Sequence, residues 1–277
     1  MNDEKITTTI IRRQKTAGKA ITMLTAYDYS MARLLDEAGV DMLLVGDSLG
    51  NVVLGYDSTL PVTMSDMLHH VKAVCRGAKR SMVIADMPFM SYQISVEEAV
   101  RNAGRFIQEA GAQAVKLEGG QEIAATVKAV VRAGIPVVGH LGLTPQSIHQ
   151  LGGFKVQGNN EDTAQKLLAD AQALEAGGAF ALVLECIPDV LAKKVTEAIT
   201  IPTIGIGAGP DCDGQVLVTH DLLGLYSGFT PKFVKKYADL HQQAMTAIAT
   251  YIKDVQKKEF PGPEHCFKAD ATLQKLY

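Results

Sequence analysis

The chain has 277 residues, 47% of them apolar, and a formal net charge of −3. That is enough apolar material for a sizeable core, and too little basic excess to offer nucleic acid or an anionic membrane a footprint. No apolar run approaches the ~18 residues of a membrane span, and the opening MNDEKITTTIIRRQ lacks the basic start and apolar stretch of a secretory signal. The four cysteines, Cys75, Cys186, Cys212 and Cys266, are far apart and form no CxxC. They read as reduced thiols of a cytoplasmic protein rather than a disulfide frame or a zinc site.

After a short N-terminal segment over 1–19, a first strand is expected at 20–27. EAGVDMLLVGD (37–47) then reads as a helix end, a glycine stop and a short apolar strand at 42–47. His69 and His70 lie mid-helix in SDMLHHVKAVCRG, where a surface or interface role is expected. SMVIADMPF supplies a strand at 81–87, and Ser95 with Glu98 forms a capping box before VRNAGRFIQEAG. EAGAQAVKLEG (109–119) repeats the first pattern, with a strand at 114–118. IPVVGHLG gives a strand at 136–141, and EAGGAFALVLE (175–185) repeats the pattern again, with a strand at 179–185. The last strands fall at 202–207 and 215–220. Only GAGPDCDG separates them, shorter than a helical crossover needs, so a single helical turn is expected there. Thr230 and Pro231 open a long final helix, KFVKKYADLHQQAMTAIATYIKDVQKK, which FPGPEH ends. A tail runs from about 259 to 277.

The three repeats stand roughly 70 residues apart, with another strand between each pair, so the unit is a strand plus a helix of roughly 35 residues. Eight such units fill the chain. Strand alternating with helix implies a parallel sheet, and eight units imply a closed α/β barrel, a (β/α)8 TIM barrel over about 20–258 within one domain. An open doubly wound sheet competes, but GIGAGP, with glycines at 205, 207 and 209, does not complete G-x-G-x-x-G.

Active sites of such barrels form at the C-terminal strand ends, and the candidate groups all fall there. Asp47 ends the second strand, with Val45 and Leu43 on its face. Asp86 ends the third, with Ile84 and Met82. Lys116 and Glu118 end the fourth, two residues apart and so on one side. His140 ends the fifth, and Glu185 the sixth with Val183. All are expected to share the interior face. Asp47, Asp86 and Glu118, on consecutive strands, would converge at one mouth. Buried like charges repel, and a hard divalent cation resolves that. An all-oxygen donor set without cysteine suits Mg²⁺ better than Zn²⁺. A salt-bridge cluster is the competing explanation. Glu185 ends the strongly apolar AFALVLEC; an apolar setting disfavours the charged carboxylate and suits a general base better than a ligand.

Other signals are weaker. Ser48 follows Asp47 at a strand-to-loop junction and could bind an anion. GIGAGPDCDG could cradle a phosphate or be a tight turn. His149 and His220 carry no spacing argument.

Taken together, GDSLGNVVLGYDSTLPVTM (46–64), ADMPF (85–89), AVKLEGG (114–120), GHLGLTPQSIHQLGGFKVQG (139–158), LVLECIP (182–188) and TIGIGAGPDCDGQVLVTHDLLG (203–224) resemble the ketopantoate hydroxymethyltransferase family. The resemblance runs from about Thr25 to Phe233. It implies a TIM barrel of the phosphoenolpyruvate/pyruvate type and a Mg²⁺-dependent transfer. The hydroxymethyl group passes from 5,10-methylenetetrahydrofolate to 3-methyl-2-oxobutanoate, giving 2-dehydropantoate on the route to pantothenate. It further implies Asp47, Asp86 and Glu118 as the metal site. Asp47, Ser48, Asp86, Lys116 and His140 would be substrate contacts, and Glu185 the base. A homo-oligomer, typically a decamer, in the cytoplasm is implied too. A Mg²⁺-dependent lyase acting on 2-oxo acids and a non-catalytic metabolite-binding scaffold are the alternatives. The lyase is disfavoured by the lack of a K-K-C-G-H-like loop.

Overall fold

The computed structural model describes residues 4–225, 228 and 230–268. Two compact units divide the chain: residues 1–219 with 230–234, and residues 220–229 with 235–277.

The first unit is a closed barrel of parallel strands in the order β1 to β8. They are β1 (Ile21–Thr25), β2 (Met42–Val45), β3 (Met82–Asp86), β4 (Ala114–Glu118), β5 (Val137–Gly142), β6 (Ala181–Glu185), β7 (Thr203–Ile206) and β8 (Gly214–Leu217). β8 pairs back onto β1, Ile21 opposite Gly214, which closes the ring. Helix α1 (Thr8–Thr16) precedes β1. Between the strands run α2 (Tyr29–Glu37), α3 (Leu49–Val52), α4 (Met64–Gly77), α5 (Val96–Gln108), α6 (Ala124–Arg132), α7 (Ile148–Leu151), α8 (Glu161–Ala176) and α9 (Asp189–Ala198); α10 (Thr219–Leu222) follows β8.

Helix starts follow local chemistry. Thr63 and Asp66 form a reciprocal capping box at α4, with Asp66 N to Thr63 Oγ1 at 3.2 Å and Thr63 N to Asp66 Oδ2 at 2.9 Å. At α5 only half of the expected box is present: the Glu98 amide donates to Ser95 Oγ at 3.1 Å. No helical turn bridges β7 and β8. Gly207 and Gly209 adopt φ of 63° and 80°, and turns alone carry the chain across. Their lack of a side chain is a packing requirement: a Cβ at Gly207 would press on the Phe233 ring at 2.8 Å, and one at Gly209 on Asp189 at 2.5 Å.

Two apolar layers hold the barrel. The interior contains Met23, Met42, Leu44, Met82, Ile84, Ala114, Val138, Ala181, Val183, Ile204 and Val216, joined by Ile6 and Ile11 of the N-terminal segment. The alternate strand residues, among them Leu43, Val45, Val83, Leu117, Leu182 and Leu184, pack outward with the helices. Burial of each large side chain contributes about 1.5–3 kcal/mol. The expected faces hold on β3, β4, β5 and β6. They fail on β2, where Leu43 and Val45 face the helices and Met42 and Leu44 face inward. Asp47 does not share a face with Val45, because the strand ends at Val45 and the chain turns into α3.

In the second unit, α11 (Leu240–Lys257) carries no buried residue. It starts at Asp239, whose side chain accepts the Gln242 amide at 3.2 Å, and not at Thr230–Pro231. A side-chain cap is the stronger start signal, and residues 231–238 form a turn and irregular chain instead. Part of the expected tail, 269–277, lies outside the described residues. No described helix is long and apolar enough to cross a membrane.

Candidate active site

The C-terminal ends of β2 to β6 bring charged side chains together. Strand register sets their heights. Asp86 stands opposite Lys116 across β3 and β4, Glu118 opposite His140 across β4 and β5, and Glu185 opposite Gly142 across β5 and β6. Lys116 Nζ lies 2.5 Å from Asp86 Oδ1 and 3.9 Å from Glu118 Oε1. His140 Nδ1 is 3.2 Å from Glu118 Oε1, and its Nε2 is 3.3 Å from Glu185 Oε2. His140 thus links an inner acid to an outer one. Lys116, Glu118, Asp86 and His140 are buried, whereas the Glu185 side chain is 17% exposed and opens toward the mouth.

β2 contributes differently. Residue 46 is the inward position, and a glycine fills it. A Cβ there would stand 2.7 Å from Ser48 Oγ and 3.4 Å from Asp86 Oδ2. The missing side chain leaves the mouth open where Asp47 and Ser48 enter it. The Asp47 amide donates to Asp86 Oδ2 at 3.0 Å. Ser48 Oγ is 2.8 Å from the buried Tyr27 hydroxyl.

The charges balance only in part. Burial, and then the negative charges of Asp86 and Glu118, push the Asp47 carboxyl up to about 8. Burial likewise pushes Asp86 up, against the pull of Lys116. For Glu118, burial is outweighed by the His140 hydrogen bond, the nearby cations and the Gln146 amide, and its carboxyl is held below the usual range. Burial and Lys116 work against a charged His140, but its hydrogen bonds to Glu118 and Glu185 prevail and raise it to about 9. Lys116 stays charged: burial opposes it, and Asp86, Glu118 and Asp47 together overcome that.

Among the described residues, no three His, Cys, Asp or Glu side chains stand ready as a metal cage. The oxygens already have partners: Lys116 holds Asp86, while His140 and the Gln146 amide hold Glu118. The donor chemistry nonetheless fits a hard cation. Asp47, just past the end of β2, and Asp86 and Glu118, at the ends of β3 and β4, offer oxygen donors only, all three buried.

Six of the residues singled out in the sequence, Asp47, Asp86, Lys116, Glu118, His140 and Glu185, converge here, with Ser48 at the rim. His69, His70 and His149 do not join them. His69 is exposed, His70 Nδ1 lies 2.6 Å from Tyr27 O on the helix side, and His149 is exposed on α7. Three further site residues carry no sequence signal of their own: Tyr27, Tyr92 and Gln146. Gln146 lies within GHLGLTPQSIHQLGGFKVQG, where the Thr-Pro step marks the 3-10 turn Pro145–Ser147 that presents it.

The ketopantoate hydroxymethyltransferase family model matches residues 5–263. The 3-methyl-2-oxobutanoate hydroxymethyltransferase of Syntrophus aciditrophicus is 65% identical over 95% of this chain and 97% of its own. That of Syntrophomonas wolfei is 60% identical over 99% of each. Among solved structures, 2,3-dimethylmalate lyase, a member of the PEP mutase/isocitrate lyase superfamily, shares the fold with a TM-score of 0.59 at 18% identity, over 97% of this chain and 92% of that one. That likeness is one of fold, and the chain belongs to the ketopantoate hydroxymethyltransferase family.

Proposed function

We propose that this chain transfers a hydroxymethyl group from 5,10-methylenetetrahydrofolate to 3-methyl-2-oxobutanoate, giving 2-dehydropantoate, with Mg²⁺ as cofactor and Glu185 as general base. The observation that carries the reading is the meeting of Lys116, His140 and Glu185 with three further acids at one mouth, in a member of this family.

Asp47, Asp86 and Glu118 are the residues that would hold Mg²⁺. When bound, the ion supplies a Lewis acid for the keto oxygen of a 2-oxo acid. Lys116 and His140 offer the substrate carboxylate and the developing oxyanion a positive wall, already placed before the reaction starts. Ser48 adds a hydroxyl at the rim. Glu185, the most open of the acids, takes the proton from C3. The electron pair left on C3 forms the new bond to the methylene carbon, and water supplies the hydroxyl; both bonds from that carbon to the folate, at N5 and N10, break, and the two nitrogens take up the proton from C3 and one from water. His140, bonded to Glu185, fixes that carboxylate and holds a proton beside it. Assembly as a homo-oligomer, a decamer, in the cytoplasm completes the proposal.

The test is product formation by the purified chain. 2-Dehydropantoate should accumulate only when the keto acid, the folate and Mg²⁺ are all present. Equal accumulation without the folate, or none with all three, would refute the assignment.

A further inference from the structure

Gln146 is only 5% exposed, and its backbone N–H and both ends of its side-chain amide are engaged. Its backbone N–H donates to Glu118 Oε2 at 3.0 Å. Its side-chain NH₂ donates to Asp47 Oδ2 and to Met87 O, both at 2.9 Å. Its side-chain carbonyl accepts the Tyr92 hydroxyl at 2.8 Å and Gln93 Nε2 at 3.3 Å. The Tyr92 hydroxyl in turn accepts the Glu118 backbone N–H at 3.2 Å.

These bonds close a ring. It runs from the Glu118 backbone through Tyr92 and the Gln146 side chain to Asp47. It returns from the Gln146 backbone to the Glu118 carboxylate. One residue thus grips two acids that repel each other, one through its side chain and the other through its main chain. The amide has a single sensible orientation. Turned over, its carbonyl would face the Asp47 and Met87 oxygens, acceptor against acceptor, at hydrogen-bond distance. Tyr92 sets the working orientation by donating to the carbonyl. Networks of this kind act as units, because each bond polarises the next. The 3-10 turn starts with Pro145, whose ring fixes its backbone, so the grip is mounted on a stiff support.

We propose that Gln146, oriented by Tyr92, is the positioning residue that holds Asp47 and Glu118 at one spacing and thereby sets the affinity of the site for a divalent cation. This rests on the reading of Asp47, Asp86 and Glu118 as the metal ligands. Partners that hold ligating carboxylates typically matter about 10–100-fold in metal affinity.

The test uses the full chain and Mn²⁺ alone, with free Mn²⁺ followed by electron paramagnetic resonance. Wild type is compared with Gln146→Met, which keeps the volume and loses the bonds, and with Tyr92→Phe, which loses one hydroxyl. Melting of the metal-free proteins is followed in parallel. Gln146→Met should bind Mn²⁺ about 10–100-fold more weakly, and Tyr92→Phe should weaken binding in the same direction by a smaller factor, both with a cooperative melt. A purely structural role would lower the melting temperature and leave affinity alone. Should Gln146→Met melt without cooperativity, Tyr92→Phe carries the test. Wild-type affinity in a cooperatively folded variant overturns the proposal and leaves the metal reading standing. A wild type that takes up no Mn²⁺ removes the metal reading, and the proposal with it.

Discussion

Lys116 Nζ stands 2.5 Å from Asp86 Oδ1, with both side chains almost wholly buried at the tops of neighbouring strands. The pair follows from register, since Asp86 is the direct partner of Lys116 across β3 and β4. One layer higher, Glu118 meets His140 in the same way. The site is therefore two stacked rungs of opposite charge, with Asp47 and Glu185 flanking them.

Removing the lower cation should cost the fold heavily. Lys116→Met leaves Asp86, Glu118 and Asp47 buried without their main counter-charge. Breaking a buried pair on one side costs about 3–5 kcal/mol. Urea unfolding in metal-free buffer should show a loss of that order. An unchanged midpoint would mean that Lys116 is not the counter-ion of the acids.

A second prediction concerns the support of the proposed base. Gly142 has φ 94°, and a Cβ there would run into the Glu185 carbonyl oxygen, which also accepts the Leu143 amide at 2.8 Å. Gly142→Ala should strain this junction by about 1–3 kcal/mol and displace Glu185. Turnover should fall more than tenfold while the keto acid KM changes less. A variant with wild-type turnover would show that the junction does not position Glu185.

Much of this site is legible in the sequence because buried parallel strands keep a period of two. On β3 to β6 that period by itself puts Asp86, Lys116, Glu118, His140 and Glu185 on the inner face. It fails on β2, where Asp47 lies past the strand end and alternation no longer applies. The β7–β8 connection and the start of α11 depart from expectation because local chemistry overrides the pattern there. A glycine-rich turn can replace a helix where two strands already pair, and Asp239 caps better than Thr230 with Pro231. Gln146 and Tyr92 lie in connecting segments without periodicity. Their meeting, 54 residues apart in sequence, is a product of the closed barrel.

Acid sensitivity should trace in part to Asp36. Its carboxylate accepts the backbone amides of Lys79, Arg80 and Ser81 at 3.0, 3.0 and 2.6 Å, ahead of β3. Burial alone would raise the carboxyl, but these bonds outweigh it and hold the group below its ordinary value. A lowered folded value stabilises above the unfolded value of about 4, and that contribution fades as pH falls through the folded one. Asp36→Asn should therefore be less stable than wild type near neutrality, with the gap closing below about pH 4. A gap that stays constant down to acid pH would show that ionisation of Asp36 plays no part.

The proposed chemistry turns on one step, in which Glu185 takes the C3 proton of a 2-oxo acid at this mouth. Hydrogen–deuterium exchange at C3 of 3-methyl-2-oxobutanoate, followed by NMR with Mg²⁺ and without folate, tests it most directly. Wild type should exchange this hydrogen, and Glu185→Gln should exchange it at least ~100-fold more slowly while remaining folded. Exchange by Glu185→Gln at the wild-type rate would contradict that role.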